Sequence, residues 1–135
     1  MRIVEIREAT VPLGAAIGNA SIDFRQMTTS AVALITDARR DGQPVVGYGF
    51  GGIGRYGQGE IIRTRLVPRL MAAPPGELLT ADGSNLEPER LWAVMMQNEK
   101  PGGHGDRAHA VGAVDMAAWD ATAKIAGMLL NHLLA

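Results

Sequence analysis

The chain has 135 residues, no cysteine and a formal charge of -1 from 13 basic and 14 acidic side chains. That length fits one domain and is small for an enzyme that must enclose its own substrate. The missing cysteines exclude disulfides, thiolate zinc sites and cysteine nucleophiles, and the balanced charge gives no field to recruit nucleic acid or an anionic membrane. Residues 1–8 alternate charge and apolarity where a leader needs an apolar run, and no stretch approaches the ~18 apolar residues of a membrane span. A cytoplasmic setting, with no membrane and no nucleic-acid partner, is expected.

Ile3, Val4, Ile6, Val11 and Leu13 lie in an alternating segment that reads as a first strand, ended by Pro12 and Gly14. A polar loop follows over 19–28. Residues 31–36 then read as a strand buried on both faces, and Asp41-Gly42 turns the chain into a third strand over 45–50. The three form an antiparallel meander. Ile61, Ile62, Leu66, Leu70 and Met71 recur at helical spacing over 58–71, with Pro68 expected to kink or end that helix. After a connector marked by Pro74-Pro75 and Asp82-Gly83, Asn85 and Pro88 open a helix with Leu91, Trp92, Met95 and Met96 on one face. A third helix over 106–125 is rich in alanine, which lets another element approach closely. Strands first and helices after them predict an α+β fold, a three-stranded antiparallel β-meander followed by a three- to four-helix layer on one face of the sheet. The closing residues 128–135 carry five large apolar side chains, a pattern expected to fold back or to meet a partner.

The segment 98–105, Asn-Glu-Lys-Pro-Gly-Gly-His-Gly, places charges, an amide and an imidazole on a glycine backbone between two helices. Its competing readings are a binding loop and an ordinary helix connection turned by Pro101 and the glycines. Residues 49–54 match the dinucleotide fingerprint G-x-G-x-x-G, but the preceding strand returns from a hairpin and Gly57 and Gly59 weaken the helix start. A glycine lid over 49–59, with Arg55, Tyr56 and Gln58 as polar handles, is the preferred reading. His104, His109 and His132 lack metal-ligand spacing, and no serine sits in a nucleophile elbow. Asp115 and Asp120 read as salt-bridge partners on the alanine helix, with Lys124 four residues beyond Asp120. Asn19 reads as a turn residue unless its loop meets the one at Lys100.

The run Arg107-Ala108-His109-Ala110-Val111-Gly112-Ala113-Val114-Asp115-Met116-Ala117-Ala118-Trp119-Asp120-Ala121, with Lys124 to Gly127, resembles the signature helix of the mandelate racemase and muconate lactonizing branch of the enolase superfamily. Residues 98–105, 19–24, 27–30 and 46–50 resemble the D-tartrate dehydratase group within it, and the resemblance extends over essentially the whole chain. It implies an enolase N-terminal-domain-like fold, with 1–127 as a capping domain and 128–135 as the start of a linker to a (β/α)8 barrel that this chain lacks. It further implies a Mg2+-dependent lyase that removes a proton next to a carboxylate, with Mg2+ and the catalytic groups on the barrel. This chain would then bind no metal and be inactive alone. By that resemblance Asn19 and Lys100 bind a small hydroxy-acid substrate; Arg55, Tyr56 and His104, on the two glycine-rich segments, are the candidates to line a lid or support the site. A homo-oligomer is expected. Two departures stand out: Gly51-Gly52-Ile53 replaces a polar triplet, and Gly127-Met128-Leu129-Leu130 replaces a Gly-Lys-Pro-Leu linker. The alternative reading is a non-catalytic binding or oligomerising module derived from such a cap.

Overall fold

A computed structural model describes residues 1–54, 56–100 and 105–135, with the side chain of Ile53 left aside. Three strands, β1 (Ile3–Pro12), β2 (Thr28–Arg40) and β3 (Gln43–Gly54), form an antiparallel sheet in the order β1-β2-β3. The Asp41-Gly42 turn of the tight hairpin has both residues at positive φ, 51° and 77°, the geometry that matches strand twist. The meander read from the sequence is therefore present. Its middle strand differs from expectation: Val32, Leu34 and Thr36 are buried, while Ala31 is exposed and Ala33 and Ile35 are half-buried. Helices cover one face only, so the run alternates inward and outward. In β1, a bulge between Ile3 and Glu5 shifts the register by one, which lets both Ile3 and Ile6 face the core.

Helical structure begins with α1 (Gly57–Ile61), passes through a π turn (Ile62–Leu66) and continues as α2 (Val67–Ala72). Pro68 does not end it. The ring sits in the first turn of α2, where its missing N–H removes little, and the wider π turn precedes it. α3 (Pro88–Met95) buries Leu91, Val94 and Met95, an i, i+3, i+4 stripe. Trp92, expected on that stripe, lies about 100° away around the helix and is exposed. α4 (Asp106–Ile125) is the long alanine helix, ended by Gly127 at φ 70°, and α5 (Leu130–Leu133) follows it. The α+β layer expected from the sequence is thus the observed fold.

The core is set by how α4 meets the sheet. Gly47, Gly49 and Gly51 alternate along β3 on the helix side. A Cβ at Gly47 would stand 2.0 Å from the Ala117 carbonyl oxygen, and one at Gly49 2.0 Å from that of Ala113. Ala113, Ala117 and Ala121 are fully buried against them. The glycines of 49–54 are therefore packing positions in a strand. This corrects the reading of 49–59 as a glycine lid, because 49–54 belong to β3 and 57 onwards are helical. Gly49→Val is expected to lower stability by roughly 3 kcal/mol, whereas Gly52→Ala, with nothing within 4 Å of its added Cβ, stays within about 0.5 kcal/mol. Urea unfolding midpoints of the two variants check this contrast.

Candidate functional site

The register carries the candidate segments to one end of the sheet. Pro12 pairs with Thr28 and Thr28 with Gly54, so the loop after β1 and the turn after β3 leave from the same edge row. A Leu13 N–H to Met27 carbonyl bond of 2.9 Å extends the ladder outward. At Gly57 an added Cβ would stand 2.7 Å from Asp106 Oδ2, which brings the first turn of α4 to the same place. The Asn19 loop and Tyr56 thus leave from one edge row, and Arg107, in the first turn of α4, donates to the Lys100 carbonyl. Arg55 and His104, the other predicted lid or supporting residues, lie outside the described residues.

The helix-facing side of the sheet also changes character toward this end. Its inward rows run Ile6–Leu34–Gly47, then Glu8–Val32–Gly49, Thr10–Ser30–Gly51 and Pro12–Thr28–Gly54. The inner side chains pass from apolar to carboxylate and hydroxyl. Glu8, whose side chain is wholly buried, accepts from Arg63 of the π turn and from the Thr10 hydroxyl. Thr10 Oγ1 lies 3.2 Å from Ser30 Oγ. Gly59 permits this packing, since an added Cβ would stand 2.1 Å from Thr10 Oγ1. Gln58 is buried beside them. With its amide turned so that Nε2 donates to the Gly51 carbonyl at 3.1 Å and Oε1 accepts from Gly54 N–H at 3.2 Å, Oε1 also accepts from His109 Nδ1 at 3.3 Å. Two backbone partners fix that orientation, and the sequence reading had set His109 aside.

Each emerging segment is held by its own polar contacts. Asn19 Oδ1 accepts from the Ser21 and Ile22 N–H groups at 2.9 and 2.8 Å, an Asx turn. Its oxygen is committed, so the NH2 group is the one facing an incoming acceptor. The residue lines an open depression of about 240 Å3 with Ile17, Ile22 and Arg25. Tyr56 holds a left-handed backbone, φ 67°, which is rare for an aromatic residue. Its N–H donates to Thr28 Oγ1 at 3.0 Å while its ring stays exposed. Asn98, at φ 58°, turns the chain out of α3.

Next comes a residue the sequence reading left without a role. The Glu99 side chain is only 6% exposed and is shared by three guanidinium groups. Arg65 of the π turn and Arg69 of α2 donate to Oε1, the latter at 2.8 Å, and Arg107 of α4 donates to Oε2 at 3.4 Å. The same Arg107 nitrogen donates to the Lys100 carbonyl at 2.9 Å, and Arg69 donates to the Met95 carbonyl at 2.7 Å. The hydrogen bonds from Arg65 and Arg69 hold the Glu99 carboxyl at about 2, well below its ordinary value. Lys100 itself is exposed. The available signal was Arg65 and Arg69, one helical turn apart and carrying like charge toward one acceptor.

Asp120, read as a salt-bridge partner, pairs with Lys124 Nζ at 2.5 Å and also accepts from the Tyr48 N–H of the edge strand at 2.8 Å. Lys124 donates to the Val46 carbonyl at 2.9 Å and sits 4.8 Å from the centre of the Tyr48 ring. Asp115 has a different environment: burial, then the charge of Glu89, raises its carboxyl above the ordinary range, opposed by a hydrogen bond from Trp119. Among the described residues no group of three or more His, Asp or Glu side chains is placed to hold a metal ion, and no helix is long and apolar enough to cross a membrane.

No protein-family model matches the chain. A crystal structure of a mandelate racemase/muconate lactonizing enzyme-like protein from Rubrobacter xylanophilus is similar to it, with a TM-score of 0.63 and 23% identity. The similarity covers 98% of this chain and 32% of that one. The fold is shared along nearly the whole chain, and the chain spans about a third of that protein's length.

Glu99 has a lowered carboxyl, so its stabilising contribution is full above its unfolded value near 4.5 and is lost as pH falls toward about 2. Glu99→Gln is expected to flatten this part of the acid limb. Urea midpoints of both proteins between those pH values check it; Asp82, also held at about 2 by Thr80 and Ser84, contributes equally to both.

Proposed function

We propose that this chain is the substrate-recognition cap of a Mg2+-dependent acid-sugar or tartrate-type dehydratase, inactive without a (β/α)8 barrel. The observation that supports this most is that the loop bearing Asn19, the turn bearing Tyr56 and the first turn of α4, whose Arg107 holds the Lys100 carbonyl, meet at one end of the sheet. They do so on a fold shared with a protein about three times as long. The sequence resemblance supplies the reaction class. In this reading the metal and the proton-abstracting groups belong to the barrel, where Mg2+ would offset the negative charge that builds on the substrate carboxylate as the proton beside it is removed.

This chain's residues then bind and enclose. Lys100 offers a point charge to the distal carboxylate of a hydroxy diacid, and the Asn19 NH2 donates to the same carboxylate or its hydroxyl. Tyr56, exposed on a strained turn, contributes an apolar wall that excludes water as the cap closes. Arg55 and His104 are assigned to the lid, or to support of the site, from their glycine-rich segments in the sequence alone. Soluble assembly of cap and barrel is expected in the cytoplasm.

The test combines this chain with a tartrate-type dehydratase barrel lacking its own cap and follows dehydration of D-tartrate. Activity above the barrel alone is expected. Lys100→Ala should then lower kcat/KM about 100-fold, the equivalent of a charge-assisted hydrogen bond of ~1.5–3 kcal/mol. Absence of any gain over the barrel, or a Lys100→Ala rate equal to wild type, would overturn the reading. A second reading, an oligomerising module, is favoured by the exposed Leu129 and Leu134 beside α5 and by Tyr48 and Phe50 on the open sheet face. Sedimentation separates the two: tight oligomers indifferent to diacids favour the module, and a monomer argues against it.

A further inference from the structure

The segment that carries Lys100 begins in an unusual clamp. Glu99 follows a left-handed Asn98 and buries its carboxylate among side chains from the π turn, α2 and α4. None of those guanidiniums belongs to α3, the helix that Glu99 follows. The carboxylate therefore ties the chain after α3 to three separate elements. Arg107 goes one residue further: one nitrogen donates both to Glu99 Oε2 and to the Lys100 carbonyl. The main chain of Lys100 is fixed to the first turn of α4 while its side chain remains exposed.

We propose that Glu99, acting through Arg107, is the positioning residue for Lys100, fixing the backbone from which its ammonium reaches a carboxylate ligand. A carboxylate suits this role better than an amide. It accepts from several forks at once and stays charged, so each bond is charge-assisted, the Arg69 one short at 2.8 Å and the Arg107 one longer at 3.4 Å. An arrangement that merely joined helices would not need a bond to the residue after the carboxylate. Here the joining residue and the presented residue are adjacent, and a single arginine contacts both. The purpose of this device rests on the reading of Lys100 as a ligand contact, but its existence does not.

The test is made on the 135-residue chain without ligand, by 15N relaxation of backbone amides. Wild type is expected to show a rigid amide at Lys100, with an order parameter near ~0.85, and Glu99→Ala to drop it below ~0.6 while Ala113 and Ala117 in α4 stay rigid. Arg107→Met, which leaves Glu99 with Arg65 and Arg69, should loosen Lys100 and leave Glu99 ordered. Added acetate, able to seat among the same guanidiniums, should restore Lys100 in Glu99→Ala and not in Arg107→Met. Unchanged order at Lys100 in either variant, equal loosening of the middle of α4, or acetate acting on neither or both variants overturns the inference. In the cap and barrel assay, Glu99→Ala should raise KM roughly tenfold with kcat little changed. A wild-type rate for Lys100→Ala there would remove the proposed function and leave the relaxation result standing.

Discussion

The contact on which the molecule depends is the approach of the α4 backbone to that of β3. Three glycines at alternate strand positions meet alanines spaced four apart on the helix, so carbonyl oxygens of α4 occupy the space where strand side chains would be. Each strand glycine costs about 0.5–1 kcal/mol in conformational entropy. The close packing of two long elements offsets it through many small dispersion contacts. That closeness has a second effect. It brings Asp120 and Lys124 onto the outer edge of β3, where they take the Tyr48 N–H and the Val46 carbonyl that have no neighbouring strand. An edge that would otherwise template aggregation is covered by side chains of the helix lying above it.

The same contact decides where α4 begins. Because α4 runs along β3 with its first turn beside Gly57, it starts at the end of the sheet where β1 and β3 release their loops. The inward face of the sheet turns polar toward that end. Glu8, Thr10, Ser30 and Thr28 replace the Ile and Leu of the opposite end, and the Thr28 hydroxyl receives the strained Tyr56 N–H. A buried polar network is tolerable only when its members find partners. Among the described residues no buried side-chain polar atom lacks one.

Much of the fold was legible because its signals are local. Alternation marked the strands, Asp41-Gly42 marked the hairpin, and the alanine pattern announced a close approach without naming its partner. That partner, β3, escaped because its glycines also fit a loop and a nucleotide fingerprint. Only the register shows Gly47, Gly49 and Gly51 on one face. Trp92 was grouped with Leu91, Met95 and Met96 on one face, whereas the buried stripe runs through Leu91, Val94 and Met95. Asn19 and Lys100 were legible as candidates through resemblance. Glu99 was not, since its three partners lie 34, 30 and 8 residues away, and no periodicity connects such distances. Gln58 was named only as a handle of its loop, and its contact with His109, 51 residues away, was illegible for the same reason.

The clamp also bears on how an anion would be recognised at this end of the molecule. Three arginines near a lysine would ordinarily form the stronger carboxylate site, because guanidinium forks bind bidentately where an ammonium offers a point charge. Here the forks are occupied: Arg65, Arg69 and Arg107 are all turned to Glu99, and two of them also to backbone carbonyls. Their geometry is committed to that carboxylate. In the proposed cap the short contact with an anion therefore falls to Lys100, whose compact head accepts a wider range of carboxylate angles than a fork would.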